Sequence, residues 1–257
     1  MLCDTSDLVQ RTIFVFGLWE PAVTAAVVSR LRAGDTFVDV GANVGYFSLL
    51  ASRIVGARGL VVSVEPSPVA LRALIDNLRA NGVRNVRVVP MAVSDRPETA
   101  QLFTGPPGNL GRSSTQWLPE MGDATTVSAA PMAALAPEIK TGRSLIKIDT
   151  EGDEVKVLTK LLADCPTLAS QAELLIEFTP QYSASRGTSL QPLWDATAAA
   201  GFNAYALPNR YDVDFYLDSA RAANFSAERV YQCPTTACDV LLTRESEDRL
   251  IFPNPVR

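Results

Sequence analysis

Phe37-Val38-Asp39-Val40-Gly41-Ala42-Asn43-Val44-Gly45-Tyr46-Phe47 reads as a strand running into a glycine loop that opens a helix. A doubly wound sheet cradles a nucleotide in such a loop. Gly41 permits the sharp turn after the strand, and Gly45 lets the helix begin close to a ligand. Asn43 tolerates the left-handed backbone that a third glycine would otherwise take. Twenty positions after Gly45, the next strand ends on Glu65, whose carboxylate can accept both hydrogens of a ribose diol. Glycines after a strand also serve plain turns; Glu65 at this distance is what argues for a ligand. A dinucleotide would require Gly-x-Gly-x-x-Gly, which seats its pyrophosphate on the helix N-terminus. The order here, Asp39-x-Gly41-x-Asn43-x-Gly45, lacks that spacing and offers Asp39 to the cationic amino group of a methionine moiety. The expected cofactor is S-adenosylmethionine. The rival, an NAD-dependent oxidoreductase, would also call for a Tyr-x-x-x-Lys pair or a histidine acid.

The chain contains no histidine. That removes Ser-His and Cys-His nucleophiles, a histidine base and most zinc sites. A base must then be a carboxylate, a lysine, a tyrosine or water. Asp149 and Glu151 follow one central strand and Glu177 lies near the end of the next, where the carboxyl ends of strands face the crevice. These three are the candidate catalytic residues, Asp149 first. Asp149 and Glu151 have a second reading as caps of the helix that follows. Glu177 interrupts the apolar run Leu174-Leu175-Ile176, where a carboxylate is costly without a partner or a cleft. Lys147 reads as the partner of a neighbouring acid. Asp149 and Glu177 offer oxygen ligands of the kind Mg²⁺ takes, but no triad of carboxylates is evident along the chain, so no metal is expected. Ser94 and Asp95 follow the third strand, where an adenine edge would lie, or else close a turn before Arg96-Pro97.

Seven short β-branched runs, over 36–40, 60–65, 86–89, 145–149, 173–178, 203–207 and 239–243, alternate with helical stretches over 46–55, 68–81, 153–163 and 190–200. The alternation predicts βαβ units and a doubly wound α/β fold with a seven-stranded, mostly parallel sheet. A further helix over 21–31 precedes the first strand, so residues 1–34 are expected to form an N-terminal cover. Between the third and fourth core strands lies an insertion, with strand-like 99–103 and 125–128 flanking a polar, glycine- and proline-rich stretch over 104–119. A loop this long is more often a lid than a neutral connector, though a plain surface loop is the other reading. Tyr205, Tyr211, Phe215 and Tyr216 fall in the late part of the sheet, as core or as pocket lining. No repeat or linker divides the chain, and one domain over 1–257 is expected.

The 257 residues, 47% hydrophobic and 20% charged, suffice for one large core. A net charge of -5 argues against a general binder of nucleic acid, which needs a basic face. No run is long enough to span a membrane and the N-terminus lacks the order of a secretory signal, so a cytoplasmic protein is expected. Cys3, Cys165, Cys233 and Cys238 lack paired zinc spacing and are too few for a disulfide scaffold.

The chain resembles the FkbM-type methyltransferase family. The resemblance rests on Gly17-Leu18-Trp19-Glu20-Pro21, on the loop from Phe37 to Phe47, on Val64-Glu65-Pro66-Ser67, Asn77-Leu78-Arg79-Ala80-Asn81-Gly82 and Ala92-Val93-Ser94-Asp95, and on Leu145-Ile146-Lys147-Ile148-Asp149-Thr150-Glu151-Gly152-Asp153-Glu154. It implies a class I methyltransferase-like Rossmann fold and S-adenosylmethionine as cofactor, with Glu20, Pro66 and Ser67 joining Asp39, Gly41, Asn43, Gly45, Glu65, Ser94 and Asp95 as cofactor contacts. It also implies methylation of a hydroxyl on a sugar, lipid or secondary metabolite, free or carrier-bound. An N-methyltransferase of a natural product would present Asn/Asp-Pro-Pro-Tyr/Phe where this chain has Asp149-Thr150-Glu151-Gly152. A catalytically silent cofactor-binding module remains the non-enzyme alternative.

Overall fold

The computed structural model describes residues 1–117, 120–139, 142–180 and 189–255. Two helices come first. α1 (Leu8–Phe16) starts at the Asp7 cap and stops at Gly17, and α2 (Pro21–Arg30) begins with proline, whose missing N–H costs nothing there. The nucleotide half follows as β1 (Thr36–Val40), α3 (Tyr46–Val55), β2 (Leu60–Val64), α4 (Pro68–Ala80) and β3 (Val86–Val89). β4 (Ala92–Val93), β5 (Glu98–Phe103) and β6 (Ala124–Ala130) form a separate three-stranded sheet in the order β4-β6-β5. The second half runs β7 (Ser144–Ile148), α5 (Glu154–Asp164), α6 (Pro166–Gln171), β8 (Ala172–Phe178), α7 (Gln191–Ala199), β9 (Asn203–Leu207), α8 (Val213–Arg221), β10 (Asn224–Val230), β11 (Cys238–Thr243) and β12 (Arg249–Pro253).

The main sheet has nine strands, ordered β12-β10-β9-β11-β8-β7-β1-β2-β3, rather than the seven expected. The seven expected strands are all in it. The two additions, β10 and β12, bury every second residue, Phe225 and Ala227 on the one and Leu250 and Phe252 on the other, and leave the residues between them on the open face. Phe225 opposes Phe252 and Ala227 opposes Leu250 on that face, and Pro253 suits an edge strand, where its missing donor is harmless. β11 enters antiparallel between β8 and β9, and β10 is antiparallel to its neighbours. The remaining strands all point one way, so the sheet is mostly parallel.

Two apolar layers enclose this sheet. On one face Phe37, Val61, Leu145, Leu175 and Leu241 pack with α2 and α3; on the other Val38, Val62, Ile146, Leu174 and Val240 pack with α5 and α7. The alternation of neighbours along each strand is the period-two consequence of the pleat, and every residue of β1 and β7 is buried, Asp39 and Lys147 included. α2 is buried throughout Pro21–Val27, packed within the layer it was expected merely to cover. Phe215 and Tyr216 lie on helix α8, not in the late sheet. Asp212 caps that helix by accepting the Phe215 N–H at 2.9 Å, and its single apolar face has helical spacing. Among the described residues no single helix is long and apolar enough to cross a membrane.

The chain leaves β1 toward β2 and β3, then returns to lay β7 on the other side of β1. That reversal opens a crevice at the carboxyl ends of β1 and β7. Val40 pairs with Ile148, so the loops that follow, beginning at Gly41 and Asp149, emerge side by side.

Candidate active site

Gly41 has φ +82, and a Cβ built on it would lie 1.7 Å from the Asp149 carbonyl oxygen. The two loops touch backbone to backbone because this position has no side chain. Its N–H and that of Ala42 both donate to Val64 O at 3.0 Å. Asn43 adopts φ 49, as expected from its type, and Gly45 has φ +88 with Leu74 filling the space a Cβ would need. Asn77 Nδ2 donates to Val44 O at 2.9 Å, pinning the loop to α4. Glu65 Oε2 accepts the Asn43 N–H and Oε1 accepts the Ser67 N–H, each at 2.7 Å. Burial pushes its pKa up to about 7 against these amide bonds, with Asp39 and Asp149 adding to the rise.

A cavity runs along this loop, lined by Gly41, Asn43, Glu65, Pro66 and Met91–Val93 and closed by Leu110 and Gly111. Its polar end holds a diol-accepting carboxylate, its flank is apolar, and backbone approaches freely at Gly41, which suits an adenosine with a short zwitterionic tail. Asp39 lies beneath the loop, outside this lining. It accepts Ser48 Oγ at 2.6 Å and is paired in register with Lys147. Ser94 is buried and donates to Glu98 at 2.7 Å, facing a neighbouring hollow, while Asp95 is exposed. Their neighbours Met91, Ala92 and Val93 line the cavity instead.

A second hollow of about 330 Å³ adjoins the first, and Asn43, Asp149 and Glu151 border both. Its other walls include Glu20, Glu177, Thr179 and Tyr211. Asp149, Glu151 and Glu177 each bring a carboxylate oxygen within 4.8 Å of the others. This corrects the expectation that no carboxylate triad exists: β7 and β8 are parallel neighbours, and their pairing brings Glu177 beside two acids more than twenty residues earlier. Lys147, buried in β7, donates to Asp149 Oδ2 at 2.5 Å and stands over the Phe47 ring at 5.0 Å. Burial opposes its charge, but Asp149, Glu20 and Asp39 outweigh it and hold the lysine above its ordinary range. Burial and the Asp149 charge lift Glu151 to about 8 and Glu177 well above the carboxylate range.

Two residues escaped the reading of the sequence. Asp239 on β11 is paired directly with Glu177 and accepts Asn209 Nδ2 at 2.7 Å; burial raises its pKa to about 6. Like charges opposite one another in a ladder are unfavourable, and the signal was present as a lone acid opening the run Val240-Leu241-Leu242. Trp19 stacks on Tyr211 at 5.3 Å, and Tyr211 donates to Glu20 Oε1 at 3.1 Å. Among the described residues the three non-glycines at positive φ are Glu20, Asn43 and Glu151, and all border these cavities. Backbone strain of this kind collects at functional sites.

Of the stretch expected as a lid, residues 104–117 close the mouth, and residues 118–119 lie outside the described residues. Asp7 spans two elements, accepting the Gln10 N–H with Oδ1 to cap α1 and the Leu110 N–H with Oδ2 at 3.0 Å. Leu8 N–H donates to Gly108 O, and Ser114 Oγ donates to Glu151 O at 2.6 Å. Asp7→Ala should cost about 1–2 kcal/mol through the lost cap. Proteolytic cleavage within 104–117 should rise severalfold under native conditions, while Tm falls only a few degrees. Unchanged cleavage would mean that Asp7 does not hold the loop.

The strand order, with one antiparallel strand inserted beyond β8, and the β1 glycine loop facing β7 are those of a class I S-adenosylmethionine-dependent methyltransferase. A family model, the methyltransferase FkbM domain, matches residues 39–203, and the chain belongs to that family. Over 59 residues it is 42% identical to protein-L-isoaspartate O-methyltransferase 1 of Archaeoglobus fulgidus, covering 23% of this chain and 27% of that protein. Over 70 residues it is 37% identical to a probable cobalt-precorrin-6B C(15)-methyltransferase (decarboxylating) of Sulfolobus acidocaldarius, covering 27% and 36%. The matches thus span roughly a third or less of these curated relatives. The crystal structure of methyltransferase FkbM from Methylobacillus flagellatus aligns over 84% of this chain and 45% of that one, with 16% identity and a TM-score of 0.44.

Proposed function

We propose that this methyltransferase acts on a hydroxyl oxygen of a small or carrier-bound hydroxylated acceptor seated in the hollow beside Asp149. The observation that carries this reading is the convergence of Asp149, Glu151 and Glu177 where the two cavities meet, in a chain without histidine. When bound, S-adenosylmethionine supplies an electrophilic methyl: the acceptor oxygen forms a C–O bond as the C–S bond breaks, and its electron pair stays on sulfur. Glu65 would fix the ribose, and Gly41 would allow the tail to reach Asp149. Asp149, held by Lys147 on one oxygen, would take the hydroxyl proton on the other and return it to water. The closed loop over 104–117 would exclude water while the acceptor lies in line. An amine acceptor fits less well, because acids so placed would hold it as an ammonium with no lone pair to attack.

The test is transfer of isotopically labelled methyl to a panel of polyols, glycosides, hydroxylated lipids and primary amines. Methyl ethers are the expected products, and methylation confined to amines would overturn the reading. Asp149→Asn should lower kcat about 10²–10⁴-fold at saturating cofactor. A variant of full activity would remove Asp149 from the reaction.

A further inference from the structure

We propose that Asp149, Glu151 and Glu177 hold a divalent cation of the hard class, Mg²⁺ or Mn²⁺, at the acceptor end of the cleft. One oxygen from each lies within 4.8 Å of the others. An octahedral cation at about 2.1 Å from its ligands sets neighbouring oxygens about 3 Å apart and opposite ones about 4.2 Å apart, so the three would have to draw in only modestly from their present spacing. All the donors are carboxylate oxygens, and the chain has no histidine. Such a set selects magnesium or manganese over zinc or copper.

A separate observation comes from Glu20. Glu20, only 4% exposed, lines the same hollow, and its Oε2 has no hydrogen-bond partner. An orphaned buried carboxylate oxygen is expensive, and a water carried on a cation in the triad is a donor of the right kind. Charge argues the same way. Lys147 is buried beside Asp149 and Glu20, and Arg112 at the rim, which pairs with Glu120 at 2.8 Å, also acts on Glu151, against the five acids Glu20, Asp149, Glu151, Glu177 and Asp239. Two further positive charges would offset what the fold leaves in surplus. Bound there, the cation would ligate the acceptor oxygen and acidify its hydroxyl, and the proton would then leave to water, since the oxygen of Asp149 not held by Lys147 would be committed to the cation. That role rests on the hydroxyl reading above, whereas the site itself does not.

The experiment is a titration of the full chain, saturated with S-adenosylhomocysteine, with Mn²⁺, reading free Mn²⁺ by its electron paramagnetic resonance signal. One Mn²⁺ per chain, displaced by Mg²⁺, is expected. Glu177→Gln and Glu151→Gln should each weaken it at least about 10-fold, Glu177→Gln while retaining S-adenosylhomocysteine binding, and Glu228→Gln on β10 should not alter it. Should a variant fail to fold, wild-type Tm must still rise with Mg²⁺ concentration. Absence of stoichiometric binding, a Tm indifferent to Mg²⁺, or equal affinity in the folded variants would each overturn the site. Hydroxyl methylation without Mn²⁺ binding would remove the cation and leave the proposed reaction standing; Mn²⁺ binding with amine methylation alone would do the reverse.

Discussion

Gly41→Ala is expected to be the most damaging single-methyl change in this protein, lowering Tm by roughly 8 °C or more and abolishing measurable S-adenosylhomocysteine binding. Two effects add. An L-residue at φ +82 costs about 1–2 kcal/mol, and the new Cβ would lie 1.7 Å from the Asp149 carbonyl oxygen. That oxygen belongs to a backbone fixed by β7, with Asp149 N–H donating to Val40 O at 3.0 Å, so the loop cannot yield without parting β1 from β7. Together these exceed about 4 kcal/mol, the range reserved for severe core damage. Gly201→Ala is the control, because it has φ +81 but nothing within 4 Å of its Cβ. It should cost only about 1 kcal/mol, or 2–4 °C, and leave binding intact. Equal losses in both variants would refute the claim that close approach of the two loops is what Gly41 provides.

The second large effect is expected at Glu65, as a dependence of cofactor affinity on pH. Burial raises this carboxyl from 4.5 to about 7 in the ligand-free fold. A raised folded pKa means that the folded chain favours the protonated form. This contribution to stability is therefore complete below about 4.5 and lost as pH climbs to about 7. Ribose hydroxyls reverse the preference, since they donate to the anion. Affinity for S-adenosylhomocysteine should thus rise with pH, by up to tenfold per unit, and level off above about 7. Glu65→Gln should flatten the profile. Glu65→Ala should weaken binding about 100-fold at pH 8, consistent with losing two charge-assisted bonds and leaving the Asn43 and Ser67 amides unsatisfied. A wild-type affinity constant from pH 5.5 to 8, measured by calorimetry, would place the ribose elsewhere.

Legibility in the sequence followed the range of the forces involved. The glycine loop, Glu65, the expected strands and the Lys147–Asp149 pair were readable because each depends on a few adjacent residues: a φ only glycine or asparagine tolerates, or a charge in an apolar run. β10 and β12 were not. Which of their residues turn inward is decided only once α2 lies against one face, and Ile251 stays exposed between buried Leu250 and Phe252. The carboxylate triad was half readable. Asp149, Glu151 and Glu177 stand out singly, but their convergence follows from the pairing of β7 with β8, which no local pattern states. Asp239 was lost for the same reason. The double use of Asp7, as cap and clamp, depends on a loop a hundred residues away.

The contact between Gly41 and Asp149 also orders events during synthesis. These residues are more than a hundred positions apart, yet each forms one wall of the same cavity. An emerging chain can wind β1, α3, β2 and α4 locally, but the cavity stays one-sided until β7 has left the ribosome and inserted beside β1. Closure of so long a loop is slow and costs entropy that only the completed sheet offsets. Nascent chains shorter than this would have the glycine loop without the wall that makes it a site.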